Sequence, residues 1–394
     1  MNLIERYLAK AADLDKVNAG MDIHCRVSYV AAHDVTAPIA IKQFREIKVN
    51  KVFDPGRVIL IVDHIYPAAT EKARDNVWAM TDFAREFGLS LYQRGEGVIH
   101  QLMYEKHRAA PGELVVIADS HTCTCGGYGA VGIGVGSTEA AAAMATGRLE
   151  LEVPAVVQVY LEGKPRANVF GKDLILALGQ IFGVNYLTDK GLLITGPGAG
   201  CFSTAERMTV CNMGTELGSM ITLFGGQERE TDVEETRTID LSELKPKIAR
   251  PFSPANVCDV EEIAGIPITQ AVVGSCTNGR ENDMEEVAKV LKNNPVHPDV
   301  NMLVVPSSKN VLDIMEQKGW CKIIREAGAT ILNPGCGPCF GAHEGLISRR
   351  DVVVSTTNRN FPGRMGANKG QVYLSSPATA VASAVAGKIA VPAE

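Results

Sequence analysis

Three cysteines carry the sharpest chemical signal in the chain. Cys336 and Cys339 lie in Asn333-Pro334-Gly335-Cys336-Gly337-Pro338-Cys339, and Cys276 lies in Gly274-Ser275-Cys276-Thr277-Asn278. Each group follows a short apolar run, 271–273 or 329–332, so each is expected in a loop at a strand end. In parallel α/β sheets the carboxyl ends of strands line the ligand crevice, so three thiols can meet at one point. Four readings fit such a set: a Cys-Gly-Pro-Cys redox pair, a structural zinc site, buried core cysteines, or a [4Fe–4S] cluster. The redox pair leaves Cys276 without a role, and zinc lacks a fourth ligand at finger spacing. A cluster held by three cysteines leaves one iron with an open position, a Lewis acid for a substrate oxygen. The other seven cysteines read as small core residues.

Titratable residues gather after apolar runs in the first third of the chain. Asp63-His64 follows 58–62, Asp119-Ser120-His121-Thr122 follows 114–118, and His100 closes Gly95-Glu96-Gly97-Val98-Ile99-His100. Aspartate beside histidine holds the imidazole in one tautomer and raises its basicity, as a general acid requires. His33-Asp34 is a further pair of the same kind. Near the C-terminus, Asn358-Arg359-Asn360-Phe361-Pro362-Gly363-Arg364 follows 352–355, and its two arginines suit a substrate carboxylate. Asn212-Met213-Gly214-Thr215-Glu216 reads by itself as helix surface. Gly127-Tyr128-Gly129-Ala130-Val131-Gly132 matches a dinucleotide fingerprint in letters only, because a loop separates it from the preceding strand. Those glycines are expected to let backbone approach a cluster or substrate closely.

The elements that must position these groups follow from periodicity. Apolar, β-branched runs at 58–62, 114–118, 155–160, 270–273, 302–305, 329–332 and 352–355 alternate with helical patterns at 70–87, 138–148 and 281–293. This alternation predicts an α/β chain with mainly parallel sheets covered on both faces. Composition shifts near 162–166 and 228–254 place expected domains at 1–158, 159–264 and 265–394, the second shift reading as a connector. The balance of 39 basic against 45 acidic residues, a net −6 without long runs of one sign, speaks against nucleic acid or anionic lipid as the main partner. No apolar stretch approaches the roughly 18 residues of a membrane span, and the N-terminus has no signal-peptide core, so no membrane and a cytosolic location are expected.

Taken together, Gly-Ser-Cys-Thr-Asn at 274–278, Cys-Gly-Pro-Cys at 336–339, Asp-Ser-His-Thr at 119–122 and Asn-Arg-Asn-Phe-Pro-Gly-Arg at 358–364 resemble the aconitase superfamily. Asp34-Val35-Thr36-Ala37-Pro38, Asp63-His64, Gly136-Ser137-Thr138-Glu139 and Ser376-Pro377-Ala378-Thr379 extend the likeness over nearly the whole chain. It is closest to the large subunits of the two-subunit isopropylmalate dehydratase and homoaconitase group. The resemblance implies three α/β domains around a [4Fe–4S] cluster on Cys276, Cys336 and Cys339, with one iron not bound by cysteine. It implies reversible dehydration of a hydroxy-di- or tricarboxylate, a small anionic substrate. His64 with Asp63 would protonate the leaving hydroxyl, assisted by His100 with Asp119. His121 would line the pocket, and Glu216 and Asn212 would contact the water or substrate. Arg359 and Arg364 would hold carboxylates, Asn278 and Asn358 would neighbour the cluster, and His33 and Ser120 would touch substrate. The swivelling domain of single-chain aconitases has no counterpart before Glu394, so a separate small subunit is expected to supply the base.

Several positions depart from the pattern. His33 stands where amides are common, Thr124 where asparagine is typical, and 185–200 diverges from usual isopropylmalate dehydratases. These bear on the substrate, with homocitrate or dimethylmalate as alternatives to isopropylmalate. From other classes, an RNA-binding regulator in the cluster-free form and a thiol oxidoreductase remain as competing readings.

Overall fold

The computed structural model describes residues 1–393. The chain groups into two compact units, each assembled from separated stretches. Met1–Arg94, Ile99–Gly163 and Leu187–Asp240 form the first, and Gly95–Val98, Lys164–Tyr186 and the residues from Leu241 onward form the second.

In the first unit a five-stranded parallel sheet has the order Ser90–Tyr92, Val58–Ile61, Tyr29–His33, Leu114–Ile117, Val131–Gly134. Its apolar runs are buried on both faces, and the period of two sorts them into two cores. Val30, Ala32, Leu60 and Val116 join Phe44, Phe83 and Met144 from the helices Ala37–Ile47, Glu71–Phe87 and Ser137–Thr146. Ala31, Ile59, Ile61, Val115 and Ile117 join Ile99, Leu102 and Met103 of Ile99–Glu105. Local chemistry delimits these helices. Thr70 accepts from the Ala73 N–H at 3.1 Å and Gly88 ends the same helix at φ +70°. A four-stranded parallel sheet, Ile221–Phe224, Lys190–Thr195, Ala155–Glu162, Glu235–Asp240, completes this unit with the antiparallel pair Asp22–Arg26 and Arg148–Glu152.

The second unit is built on a seven-stranded sheet ordered Val257–Asp259, Lys247–Ala249, Gln371–Ser375, Val352–Ser355, Gln270–Gly274, Asn301–Val305, Thr330–Ile331. The last five are parallel, and Lys247–Ala249 runs antiparallel to both of its neighbours, Val257–Asp259 and Gln371–Ser375. The α/β class expected from alternation holds, and the strand and helix positions follow the apolar runs closely.

One local reading differs. The stretch read as a connector contains the strand Glu235–Asp240, paired in parallel with Ala155–Glu162. It is an edge strand with exposed side chains, so it lacks the apolar run that marks a buried one. Gly171–Phe182 follows a strand of the four-stranded sheet in sequence but belongs to the second unit. No described helix is long and apolar enough to cross a membrane.

Candidate functional site

Parallel strands of the five-stranded sheet deliver their carboxyl ends to one edge, and four histidines meet there around one carboxylate. Asp119, just past Leu114–Ile117, lies with Oδ1 3.0 Å from His100 Nε2 and Oδ2 3.2 Å from His33 Nε2. Its Oδ2 is 3.8 Å from His64 Nε2, and its Oδ1 accepts the His121 backbone N–H at 2.7 Å. The His33–Asp119 pair joins the ends of two adjacent strands, Tyr29–His33 and Leu114–Ile117.

His64 is held from several sides. Its Nδ1 lies 2.6 Å from Asp63 Oδ1, and its ring stacks on His33 with centroids 3.8 Å apart. Asp63 Oδ2 accepts the Ile99 N–H at 2.7 Å. Asp34 accepts the backbone N–H groups of Asp63, His64 and Ile65 at 3.0, 2.9 and 2.8 Å, pinning the loop that carries the pair. Because each Asp34 oxygen already serves backbone donors, the close set His33, Asp34, Asp63 and His64 is organised as a hydrogen-bonded pair rather than an open metal cage.

The turn Ser120–Tyr128 carries His121, whose Nε2 lies 2.9 Å from Glu216 Oε1. Thr124 Oγ1 accepts from Asn212 Nδ2 at 2.9 Å and donates to the His121 carbonyl at 2.6 Å. Threonine at this position therefore still ties Asn212 to the turn. Glu216 and Asn212 are buried, not helix surface. Ser120 is exposed, and its Oγ reaches only to 3.5 Å from His121 Nδ1. Two glycines of the false dinucleotide pattern lie tight against protein backbone. A Cβ on Gly127 would meet Met208 N at 2.3 Å, and one on Gly132 would meet Thr122 O at 2.0 Å.

Burial pushes the Asp63 carboxyl up, but the His64 and His33 imidazoles and the Ile99 N–H outweigh it and leave it below its ordinary value. Burial also pushes Asp119 up, and hydrogen bonds from His100, His121 and His33 bring it well below. For His100 burial wins over Asp119 and lowers the imidazole; its Nδ1 is buried with no hydrogen-bond partner. The signs agree for stability. All three groups bind protons more readily unfolded, so their contribution is full above the unfolded values and is lost as pH falls. The melting temperature of the iron-free chain is expected to decline first below about pH 6.5 and again below about pH 4. His100→Gln should flatten the first decline in a pH series of thermal melts; an unchanged decline contradicts the assignment.

In the second unit the thiol-bearing loops also lie at carboxyl strand ends. Cys276 sits on the short helix Ser275–Asn278 directly after Gln270–Gly274, and Cys336 and Cys339 follow Thr330–Ile331. A Cβ on Gly274 (φ +143°) would meet Val305 O at 2.1 Å, and Ser275 adopts φ +69°. Both features mark a tightly constrained turn. All three cysteines are buried and none of the chain's ten forms a disulfide.

Asn358, just past Val352–Ser355, links the loops. Its Nδ2 donates to Cys276 Sγ at 3.4 Å, and Cys339 Sγ donates to its Oδ1 at 3.5 Å. Cys276, Cys336 and Val98 form one small apolar cluster. Ser275, beside Cys276, and Ser307, in the loop after Asn301–Val305, have buried hydroxyls with no hydrogen-bond partner. Three unoxidised thiols, an amide spanning two of them and unserved hydroxyls nearby fit a sulfur-ligated inorganic cluster. Arg364 lies with its guanidinium 5.7 Å from the Phe340 ring, and Arg359 is half-buried one residue past Asn358.

Arg280 and Lys172 escaped the sequence reading, and Asp34 was read without its role. Arg280 is buried and donates to the carbonyls of Thr277 and Cys276 at 2.7 and 2.8 Å, fixing the Cys276 turn. Asp34 was visible as half of a pair, but its use as a triple acceptor was not. Lys172, fully buried, donates through Nζ to Thr356 O at 2.5 Å, Thr357 O at 2.9 Å and Asn278 Oδ1 at 3.5 Å. Asn278 Nδ2 donates in turn to Asp283 Oδ1 at 3.0 Å. Burial pushes the Lys172 ammonium down to about 7, against the pull of Cys339, Asp283 and Cys276.

The model of the aconitase family (aconitate hydratase) matches residues 7–232 and 259–387. A 3-isopropylmalate dehydratase large subunit from Acetivibrio thermocellus is 39% identical, covering 100% of this chain and 99% of its own length. A Methanopyrus kandleri 3-isopropylmalate dehydratase large subunit 1 is 38% identical over 99% of this chain and 98% of its own. The crystal structure of Thermococcus kodakaraensis aconitase X in its holo form aligns with a TM-score of 0.56 at 14% identity over 93% of each chain, a likeness of fold. A match that takes in both the histidine–carboxylate loops and the thiol loops, on a shared fold, settles the affiliation: the chain belongs to the aconitase family.

Proposed function

We propose that this chain is the large subunit of a two-subunit hydro-lyase that isomerises a hydroxy-dicarboxylate by dehydration and rehydration, with 3-isopropylmalate of leucine biosynthesis as substrate. The observation that carries the reading is the set of three buried, disulfide-free thiols at strand ends, two of them joined through the Asn358 amide. Cys276, Cys336 and Cys339 would hold a [4Fe–4S] cluster. When bound, such a cluster supplies an iron with an open coordination position, a Lewis acid for substrate oxygen.

The remaining work falls to the chain's own groups. His64, oriented by Asp63, delivers a proton to the departing hydroxyl. A proton leaving Nε2 is favoured by an Nδ1–H directed at Asp63 Oδ1, because that contact stabilises the correct tautomer. His100 and Asp119 assist, with His33 stacked on His64 to restrict its ring. His121, held by Glu216, and Asn212 position water or substrate. Arg359 and Arg364 bind carboxylates, with Asn278, Ser120 and Asn358 completing the contacts. The small subunit supplies the base that removes the carbon-bound proton; the relatives' designation as large subunits supports the presence of such a partner. The complex is assigned to the cytosol.

Anaerobic reconstitution with the cognate small subunit tests the proposal, with isopropylmalate, homocitrate and dimethylmalate assayed side by side. Iron-loaded chain alone is expected to be nearly inactive, and addition of the small subunit is expected to raise turnover of isopropylmalate at least about a hundredfold, since general base catalysis contributes roughly 10²–10⁴-fold. Full turnover by the unaided chain would overturn the two-subunit reading. Preference for homocitrate or dimethylmalate would move the substrate without touching the chemistry.

A further inference from the structure

A buried ammonium is costly unless negative charge lies close by. Lys172 sits wholly inside the second unit, on the helix Gly171–Phe182, and its three hydrogen-bond acceptors are neutral oxygens: the Thr356 and Thr357 carbonyls and the Asn278 side chain. The acidic groups nearby are otherwise engaged. Asp283 accepts from Asn278 Nδ2 and from the Arg280 backbone N–H. Asp173 accepts the Lys247 and Phe170 N–H groups, and burial pushes its carboxyl up to about 7. Among the groups whose charge acts on Lys172, Cys339 is foremost and Cys276 also contributes.

The bonds made by Lys172 lead directly to the thiol loops. Thr356 Oγ1 accepts the Gly274 N–H at 2.9 Å, at the start of the Cys276 turn. Thr357 immediately precedes Asn358, whose amide spans Cys276 and Cys339. Asn278 ends the helix that carries Cys276.

We propose that Lys172 is the built-in countercharge of the thiol-held cluster, a positioning residue that anchors Asn278 and the 356–358 segment and stabilises added electron density on the cluster. This rests on the reading that Cys276, Cys336 and Cys339 bind a [4Fe–4S] group. Three cysteinates outweigh the charge of a dicationic four-iron core and leave one net negative charge, which this ammonium balances. A positive charge held close favours the reduced form and slows loss of the anionic group to solvent, so its removal should lower the reduction potential and loosen the iron.

The test compares wild type, Lys172→Gln, Lys172→Met and Lys172→Arg as full chains reconstituted anaerobically. It reads iron content, midpoint potential by spectroscopically monitored titration, and the rate of iron release to a chelator. Gln keeps a donor for the carbonyls while removing charge, Met tests the apolar isostere should Gln fail to fold, and Arg keeps the charge. Gln or Met should favour oxidation about tenfold more than wild type, a lowering of about 59 mV for one electron, and release iron about tenfold faster. Arg should stay close to wild type in potential. Loading of Arg with no loading of the neutral variants also supports the proposal. Equal shifts in Arg and the neutral variants, no shift in any, or failure of all three to load would overturn it. If wild type itself takes up no cluster, the cluster reading fails instead, a result distinct from failure of the countercharge.

Discussion

Cys276→Ser, Cys336→Ser and Cys339→Ser should each abolish a stable four-iron site and cut turnover of the reconstituted complex by at least about a thousandfold. The magnitude follows from the task assigned to the group: a Lewis acid contributes several kcal/mol of charge stabilisation, and each 1.36 kcal/mol is tenfold in rate. The equality of the three variants is the informative part. A redox pair of Cys336 and Cys339 would survive the change at 276, and retention of disulfide exchange in Cys276→Ser would favour that chemistry instead. Cys321, buried in the core of the same unit, provides the control. Cys321→Ser is expected to lose some stability and keep its iron. Iron and sulfide analysis beside steady-state rates separates these outcomes, and four irons retained in Cys276→Ser would sink the ligand assignment.

Asp119→Asn should lower turnover by roughly 10²–10⁴-fold while leaving iron content unchanged. Asp119 is the carboxylate on which His33, His64, His100 and the His121 backbone converge. Asparagine has nearly the same shape, so packing is conserved. It cannot accept at both oxygen positions, and its NH₂ group would face an imidazole N–H that now has an acceptor. The imidazoles must then rotate or change tautomer, and the tautomer of His64 is what directs its proton. Asp63→Asn should act in the same direction through the 2.6 Å contact to His64 Nδ1. The pH profile of the rate separates this from a loss of substrate affinity, because a changed imidazole moves the profile whereas weaker binding raises KM alone. Turnover of Asp119→Asn within tenfold of wild type would remove Asp119 from the proton machinery.

The boundaries of secondary structure were legible because they depend on neighbours in sequence. The run at 58–62 appears as Val58–Ile61, and the helical pattern at 70–87 appears as Glu71–Phe87 with Thr70 as its cap. The chemistry of single loops was legible for the same reason: Cys-Gly-Pro-Cys and Asp-Ser-His-Thr hold their groups within one turn. The edge strand Glu235–Asp240 was not, because an exposed strand carries no apolar run.

Sequence alone therefore determined which residue types stand at the carboxyl ends of strands, and hence the α/β class, the three thiols and the histidine–aspartate pairs. Tertiary structure decided which of those ends meet. Asp119 reaches His33 and His64 only because Tyr29–His33 lies between Val58–Ile61 and Leu114–Ile117 in the sheet, an order that no local pattern encodes. Glu216 reads as helix surface until it is found 2.9 Å from His121, ninety-five residues away. Lys172 is one of 39 basic residues, indistinguishable from a solvated lysine until the fold buries it. The physical reason is that burial and long-range hydrogen bonding set a side chain's charge and partner, and both exist only once distant segments have packed.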